Sequence, residues 1–445
     1  MNDLSRPEHP TLAQSFPYWL KLGFISFGGP AGQIAMMHQE LVEKRRWISE
    51  HRFLHALNYC MLLPGPEAIQ LAIYIAWLMH GILGAVVAGV LFFLPAFALL
   101  STLAAVYLAW GDVPLVAGIF YGIKPAVVAV VLFAAWRIGS RAIKNEVLFA
   151  IAVLAFVGIF FFKIGFPWIV LAAGITGALG GKLMPGKFKS GGSHGASNQQ
   201  YGPALIDDDT PPPAHARFSW AKLTAKVVAF VAIWVLAMLF VRGETTLAAM
   251  GEFFTKAAFL TIGGAYAVLP YVYQGAVEQH GWLTGLQMMD GLALGETTPG
   301  PLIMVVTWVG YLGGVAKDVA ANPVAAGLAG ATVATFFTFL PSFLFILAGG
   351  PLVESTRGDL KFTAPLTAIT AAVVGVIINL AVFFAWHTFW PMATEAVPFA
   401  PPFEWLPVLV AIAAFVALWK YKADIMMVIG ACALVGLLYT LTLGA

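Results

Sequence analysis

The chain has 445 residues, of which 60% are apolar and only 10% charged, with a mean hydropathy of +0.85 and a net charge of +2. A soluble domain carries about 25% charged residues; this chain lacks the charge to cover itself in water, and lipid is the solvent it fits. The net charge says nothing about nucleic acid, and with the positive residues scattered and no basic tract beyond Lys44-Arg45-Arg46, no nucleic-acid partner is expected.

In chain order, Met1 to Pro10 is polar and has no apolar core, so no cleavable signal peptide is expected and the first membrane segment directs insertion. Apolar segments follow at 12–43, 53–79, 83–109, 114–136, 146–162 and 166–181. The stretch 182–217 contains Asp207-Asp208-Asp209 and Pro211-Pro212-Pro213, a composition that predicts a flexible, solvated linker. Apolar segments resume at 222–241, 253–278, 287–312, 324–349, 363–386, 405–419 and 425–443. The two cysteines, Cys60 and Cys432, lie in apolar stretches, with neither metal-type spacing nor a disulfide framework.

The second set repeats the first. A shift of 235 carries Lys21 onto Lys256, Gly28-Gly29 onto Gly263-Gly264, Glu43 onto Glu278, Trp47 onto Trp282 and Pro64-Gly65-Pro66 onto Pro299-Gly300-Pro301. Residues 21–66 show twelve ungapped identities in 46 positions, and Lys, Trp, Glu and Pro-Gly-Pro do not recur together by chance in apolar sequence. The shift then becomes 246, with Phe93-Leu94-Pro95 matching Phe339-Leu340-Pro341. The expected organisation is an N-terminal membrane repeat over 1–181, the linker over 182–217, an extra linking transmembrane helix over 218–250 and a C-terminal membrane repeat over 251–445. The fold class expected is an all-α polytopic membrane protein with two inverted helical repeats. Six crossings per repeat around the extra helix give that inversion. A re-entrant hairpin over 53–79 is the alternative, and positive charge in the loops nearly ties between them.

Gly28-Gly29 and Pro64-Gly65-Pro66 fall in the middle of apolar segments, as do Gly263-Gly264 and Pro299-Gly300-Pro301. Proline removes a backbone donor and breaks a helix, and lipid cannot satisfy the freed groups. New half-helices are expected near Pro66 and Pro301, and near the two Gly-Gly pairs. A helix N-terminus carries unpaired N–H groups and about half a positive charge. Several such ends meeting at mid-membrane would hold an anion. Lys21 and Lys256 each precede their Gly-Gly by seven residues in apolar surroundings, which makes them candidates to hold the anion's charge. Glu67 and Glu296 flank the Pro-Gly-Pro breaks and are candidates for coupling protons to transport. Lys124 is another charge before a proline in an apolar run. Glu43 and Glu278 are expected in structural salt bridges or caps, and Trp47 and Trp282 in an interfacial aromatic belt. No Walker loop, metal-ligand cluster or nucleophile elbow is present, so no enzyme activity and no cofactor are expected.

With Phe27-Gly28-Gly29-Pro30, Trp47, Pro64-Gly65-Pro66 and Pro299-Gly300-Pro301 in this order, the chain resembles the chromate ion transporter family, in its long two-domain form. The second half departs by reading Ile262-Gly263-Gly264-Ala265. The resemblance implies a multi-pass protein of the bacterial inner membrane that exports chromate, with sulfate as a related substrate. The expected partners are a small oxyanion and the lipid bilayer, and a homodimer is an open expectation. A carrier driven by membrane potential or a proton gradient is the leading reading, with transport of another oxyanion, or an anion channel, as alternatives.

Overall fold

The computed structural model describes residues 6–27, 29–111, 113–188, 201–262, 264–355, 363–393 and 397–443. Gly28 and Gly263 lie outside the described residues. The first half comprises α1 (Leu12–Ile25), α2 (Gly29–His38) with a π turn (Gln39–Lys44), α3 (Glu50–Leu62), α4 (Glu67–Trp110), α5 (Pro114–Ala142), α6 (Glu146–Phe160) and α7 (Phe166–Leu183). After α8 (Trp220–Val241) come α9 (Thr245–Leu260), α10 (Ala265–Tyr273) with a π turn (Gln274–Gln279), α11 (Gly285–Thr297) and α12 (Val305–Ala316), led by a 3-10 turn at Leu302–Met304. The chain ends with α13 (Pro323–Ser355), α14 (Thr363–Phe389), α15 (Trp405–Trp419) and α16 (Ile425–Leu443). The shift of 235 carries Gln39–Lys44 onto Gln274–Gln279 and α3 onto α11 without an offset, so the repeat read in the residues is a repeat of structure.

The first pair of apolar segments in each half does not cross. Tyr18 and Trp19 of α1 pack on Trp47, beyond the π turn, with ring centroids 5.7 and 6.5 Å apart. Their equivalents Phe253 and Phe254 pack on Trp282 at 5.4 and 5.8 Å. A chain that returns to the rings it passed on entering is a hairpin. Both tryptophans are buried, at 5% and 2% exposure, so they fasten hairpins rather than forming the expected aromatic belt.

The second segments also fold back. Arg52, early in α3, and Tyr74 on α4 both bond Glu354, and Trp308 of α12 donates to the Gln287 carbonyl of α11 at 3.0 Å. Within α4 the chain reverses at Gly81 (φ 65°, ψ −153°). A Cβ on Gly89 would sit 3.0 Å from Cγ1 of Ile73, a contact possible only if the two arms lie side by side. Residues 317–322, between α12 and α13, make the matching reversal. Helices broken in mid-membrane need protein around them, and paired hairpins supply it.

The expected six crossings per repeat are therefore two re-entrant hairpins and four crossings: the long arm of α4 with α5, α6 and α7, and then α13 to α16. Seven described helices are long and apolar enough to cross a bilayer, and α6, α15 and the stretch Leu302–Ala316 that contains α12 are shorter apolar ones. Four crossings is an even number, so α8 inverts the second half. The halves interlock, α5 packing on α15 and α16 while α14 packs on α6 and α7. Backbones meet through small residues: a Cβ on Gly122 would lie 1.9 Å from the Cys432 carbonyl. Phe93 stacks on its own repeat equivalent, Phe339, at 4.8 Å and 13°, which marks the pseudo-two-fold axis.

Inversion with re-entrant hairpins also sorts the charges. Arg45, Arg46, Arg52, Arg141, Lys144, Lys182, Arg217, Lys222, Lys420 and Lys422 fall at the end where the first-half hairpins open; Lys163, Arg242 and Lys317 fall at the other. The near-tie expected from the sequence came from counting hairpins as crossings. Part of the linker is docked at the basic end. Ile206 bridges to Ile48, Ser49 N–H donates to the Ile206 carbonyl at 2.9 Å, and His215 bonds the Trp77 carbonyl at 2.8 Å. Residues 201–217 are thus held to the hairpin mouths rather than free in solvent.

Candidate anion site at the helix breaks

The four breaks meet across the pseudo-two-fold axis. Gly65 N–H donates to the Thr261 carbonyl at 2.7 Å, and Gly300 N–H donates to the Ser26 carbonyl at 2.9 Å. Gly65 and Gly300 are repeat equivalents, and so are Ser26 and Thr261. The Pro-Gly-Pro break of each half is thereby bonded to the Gly-Gly break of the other. Glycine is required at both donors. Their φ values are 118° and 108°, a region side chains rarely adopt. A Cβ on Gly65 would lie 2.5 Å from Nε2 of Gln70 and 2.8 Å from Oγ of Ser342, and one on Gly300 would lie 2.8 Å from Cβ of Ala96.

Each break joins a helix end to a helix start. The ends are carbonyl-rich and are satisfied internally. Ser26 O takes Gly300 N–H and also the Gln33 amide at 3.0 Å, Gln33 reaches the Gly300 carbonyl at 2.7 Å, and Gln70 donates to the Pro64 carbonyl at 2.6 Å. The starts are treated differently. α4 begins after Pro66, α10 after Gly264 and the turn into α12 after Pro301, none with a side-chain cap. At the rim, by contrast, α1, α3 and α11 begin on Thr11, Ser49 and Thr284, whose side chains cap them; α9 begins on Glu244 without one. The inner ends therefore have their carbonyls covered and their first N–H groups without side-chain partners, which is the polarity that suits an anion.

The other candidate residues are dispersed around this centre. Pro64 and Pro299 stand at the breaks, and Gly29 opens α2. Glu67 is the first residue of α4 and half-buried. Glu296, near the end of α11, accepts from the Tyr266 hydroxyl. Lys21 and Lys256 are exposed on α1 and α9, and Lys256 pairs with Glu252 at 2.5 Å; neither is drawn into the break cluster. Glu43 pairs with His38 at 3.1 Å, a structural contact as expected. Two residues not singled out in the sequence, Ser26 and Thr261, are also present. Ser26 and Thr261 turn their hydroxyls back onto the Leu22 and Ala257 carbonyls, a matched pair one hydroxyl comparison would have found. Gln33 and Gln70 are fully buried, each with its Oε1 unpartnered. Their polarity alone makes them possible lining groups of the path, and they have no polar repeat equivalents. Among the described residues no cluster of metal ligands occurs.

A family model described as chromate transporter matches residues 13–178 and 248–437, one match in each half. The chain is 33% identical over 434 residues to a chromate transport protein of Pseudomonas aeruginosa, covering 97% of this chain and 93% of that one. It is 30% identical over 379 residues to a chromate transport protein of Cupriavidus metallidurans, covering 84% and 83%. A probable chromate transport protein of Synechococcus elongatus is 28% identical over 382 residues, covering 84% and 85%. No solved structure matches. With a model match in both inverted halves and relatives along nearly its whole length, this multi-pass membrane protein belongs to the chromate transporter family.

Proposed function

We propose that the protein is a secondary transporter that exports chromate across the bacterial inner membrane, binding it where the four helix breaks meet. The observation that carries this reading is the reciprocal pair of backbone bonds, Gly65 to Thr261 and Gly300 to Ser26, at inner helix starts that have no side-chain caps. Uncapped N–H groups in a low-dielectric interior favour a compact anion, and the family and its relatives favour chromate among such anions.

The positive-inside rule puts the basic end in the cytoplasm, with the first-half hairpins opening there and the second-half hairpins opening outward. Each side then has one pair of broken helices leading to the shared centre, as alternating access requires. Chromate carries two negative charges, and an inside-negative potential favours its outward movement by about 2.3 kcal/mol per charge per 100 mV. Voltage is therefore sufficient as the driver. Bacteria expressing the protein are expected to accumulate less chromate than cells carrying an empty vector, measured as cell-associated chromium over the first minutes of exposure. Equal accumulation with the protein present in the membrane would contradict export.

A further inference from the structure

α11 carries a buried carboxylate, Asp290, and a half-buried one, Glu296, and each accepts from a tyrosine hydroxyl. Asp290 is 2% exposed; its Oδ2 accepts from the Tyr107 hydroxyl of α4 at 2.9 Å, and its Oδ1 has no partner. Glu296, six residues on, accepts from the Tyr266 hydroxyl of α10. α5 packs on α11 and supplies one cation near each: the charge of Lys124 is felt at Asp290 and that of Arg137 at Glu296. These are the charged and titratable groups facing the two carboxylates. Neither carboxylate forms a direct ion pair among the described residues.

A structural salt bridge would place the cation in contact with the carboxylate. Here a neutral phenol makes the contact, with no direct ion pair among the described residues, while one oxygen of Asp290 is left open. Such a carboxylate can take and release a proton without tearing an ion pair apart. Six residues of helix separate the two groups by about 9 Å, and Glu296 stands two residues before Thr298, where the Pro-Gly-Pro break begins. We propose that Asp290 and Glu296 are the two stations of a proton path along α11 that leads from the break to the outer rim and releases there a proton carried with the anion.

The sign of the coupling follows from Coulomb repulsion. A dianion at the break disfavours a charged Glu296, so anion binding strengthens proton binding there, and by reciprocity a bound proton strengthens anion binding. Proton and chromate then travel in the same direction, and each proton carried reduces the net charge exported by one. This inference rests on the transport reading above. Asp290, farther from the break, relays protons and does not touch the anion.

The test uses the full chain in proteoliposomes, with chromate as the probe and a pH-sensitive dye, at an alkaline pH where the anion is doubly charged. Net efflux under an imposed potential is compared with exchange between equal chromate concentrations, which requires no net proton movement. Wild-type protein is expected to move protons with chromate. Asp290→Asn is expected to lower net efflux about tenfold or more while leaving exchange within about twofold, and Asp290→Glu to restore part of the net efflux. Tyr107→Phe, which removes the hydroxyl favouring the charged carboxylate, is expected to move the pH midpoint of net efflux to higher pH. Asp290→Asn with unchanged net efflux and proton movement overturns the proposal. So does loss of exchange along with net efflux when Tyr107→Phe keeps the wild-type pH profile. Absence of chromate exchange in the wild type would instead sink the transport reading itself.

Discussion

Lys21 and Lys256 stand four residues before the last residue of α1 and α9, about 6 Å short of the breaks. A lysine facing hydrocarbon at mid-depth costs at least about 2.5–3.5 kcal/mol, yet both are exposed, and Lys256 keeps an exposed glutamate beside it. Those faces of α1 and α9 fit water-filled approaches to the centre better than a lipid boundary. On the transport reading proposed above, inversion opens the two approaches to opposite sides, and the lysines would attract the anion rather than seal it in. Lys21→Met is expected to raise the half-saturating chromate concentration about fivefold when substrate is offered from the cytoplasmic side, and to change it little from the other side. Lys256→Met is expected to do the reverse. Initial rates in everted and right-side-out vesicles measure both, and effects that are equal from the two faces, or absent, would contradict this placement. For export, where cargo arrives from the cytoplasm, Lys21 is the more consequential of the two.

At the scale of elements, the breaks were legible because Gly-Gly and Pro-Gly-Pro are chemically conspicuous in apolar sequence and recur at one shift. The fold-back was not legible. Residues 12–43 and 53–79 have the apolar length of a crossing, and a re-entrant hairpin of the same composition differs only in direction. The bonds that bring the breaks together run between backbone atoms of Gly65, Thr261, Gly300 and Ser26, so no side-chain pairing in the sequence announces them. Asp290 escaped notice because its repeat equivalent is His55, and only its burial beside the Tyr107 hydroxyl distinguishes it. The linker misled through its composition. Polar residues, glycine and proline suit a solvated tether, but they also suit a strap whose carbonyls satisfy a buried cation. Arg52 is such a cation: it bonds Glu354 and donates to the Asp207 and Thr210 carbonyls at 3.1 and 2.9 Å. A hydrogen bond to a charged group is worth about 1.5–3 kcal/mol. Replacing residues 201–217 by Gly/Ser of equal length is therefore expected to lower the apparent melting temperature by several degrees, read as loss of the monodisperse chromatographic peak after heating. An unchanged melting temperature would show that the docked strap contributes nothing to holding α3.

For the whole molecule, the duplication and the unmatched segment at 222–241 were readable from sequence, since a shift of 235 is a matter of counting, whereas the inversion was a preference that rested on a count of six crossings per repeat. Sidedness became readable only with the hairpins in place, when Arg45, Arg52, Arg141 and Lys420 fell at one end. The function proposed is that of an inverted pair sharing one central anion site, which would be entered from the cytoplasm and emptied outward by voltage. The most direct test is chromate accumulation by everted inner-membrane vesicles energised to an interior-positive potential. The account predicts uptake that saturates with chromate, collapses when the potential is dissipated and exceeds that of vesicles lacking the protein. Uptake that is indistinguishable from protein-free vesicles, or that persists unchanged without a potential, would contradict it.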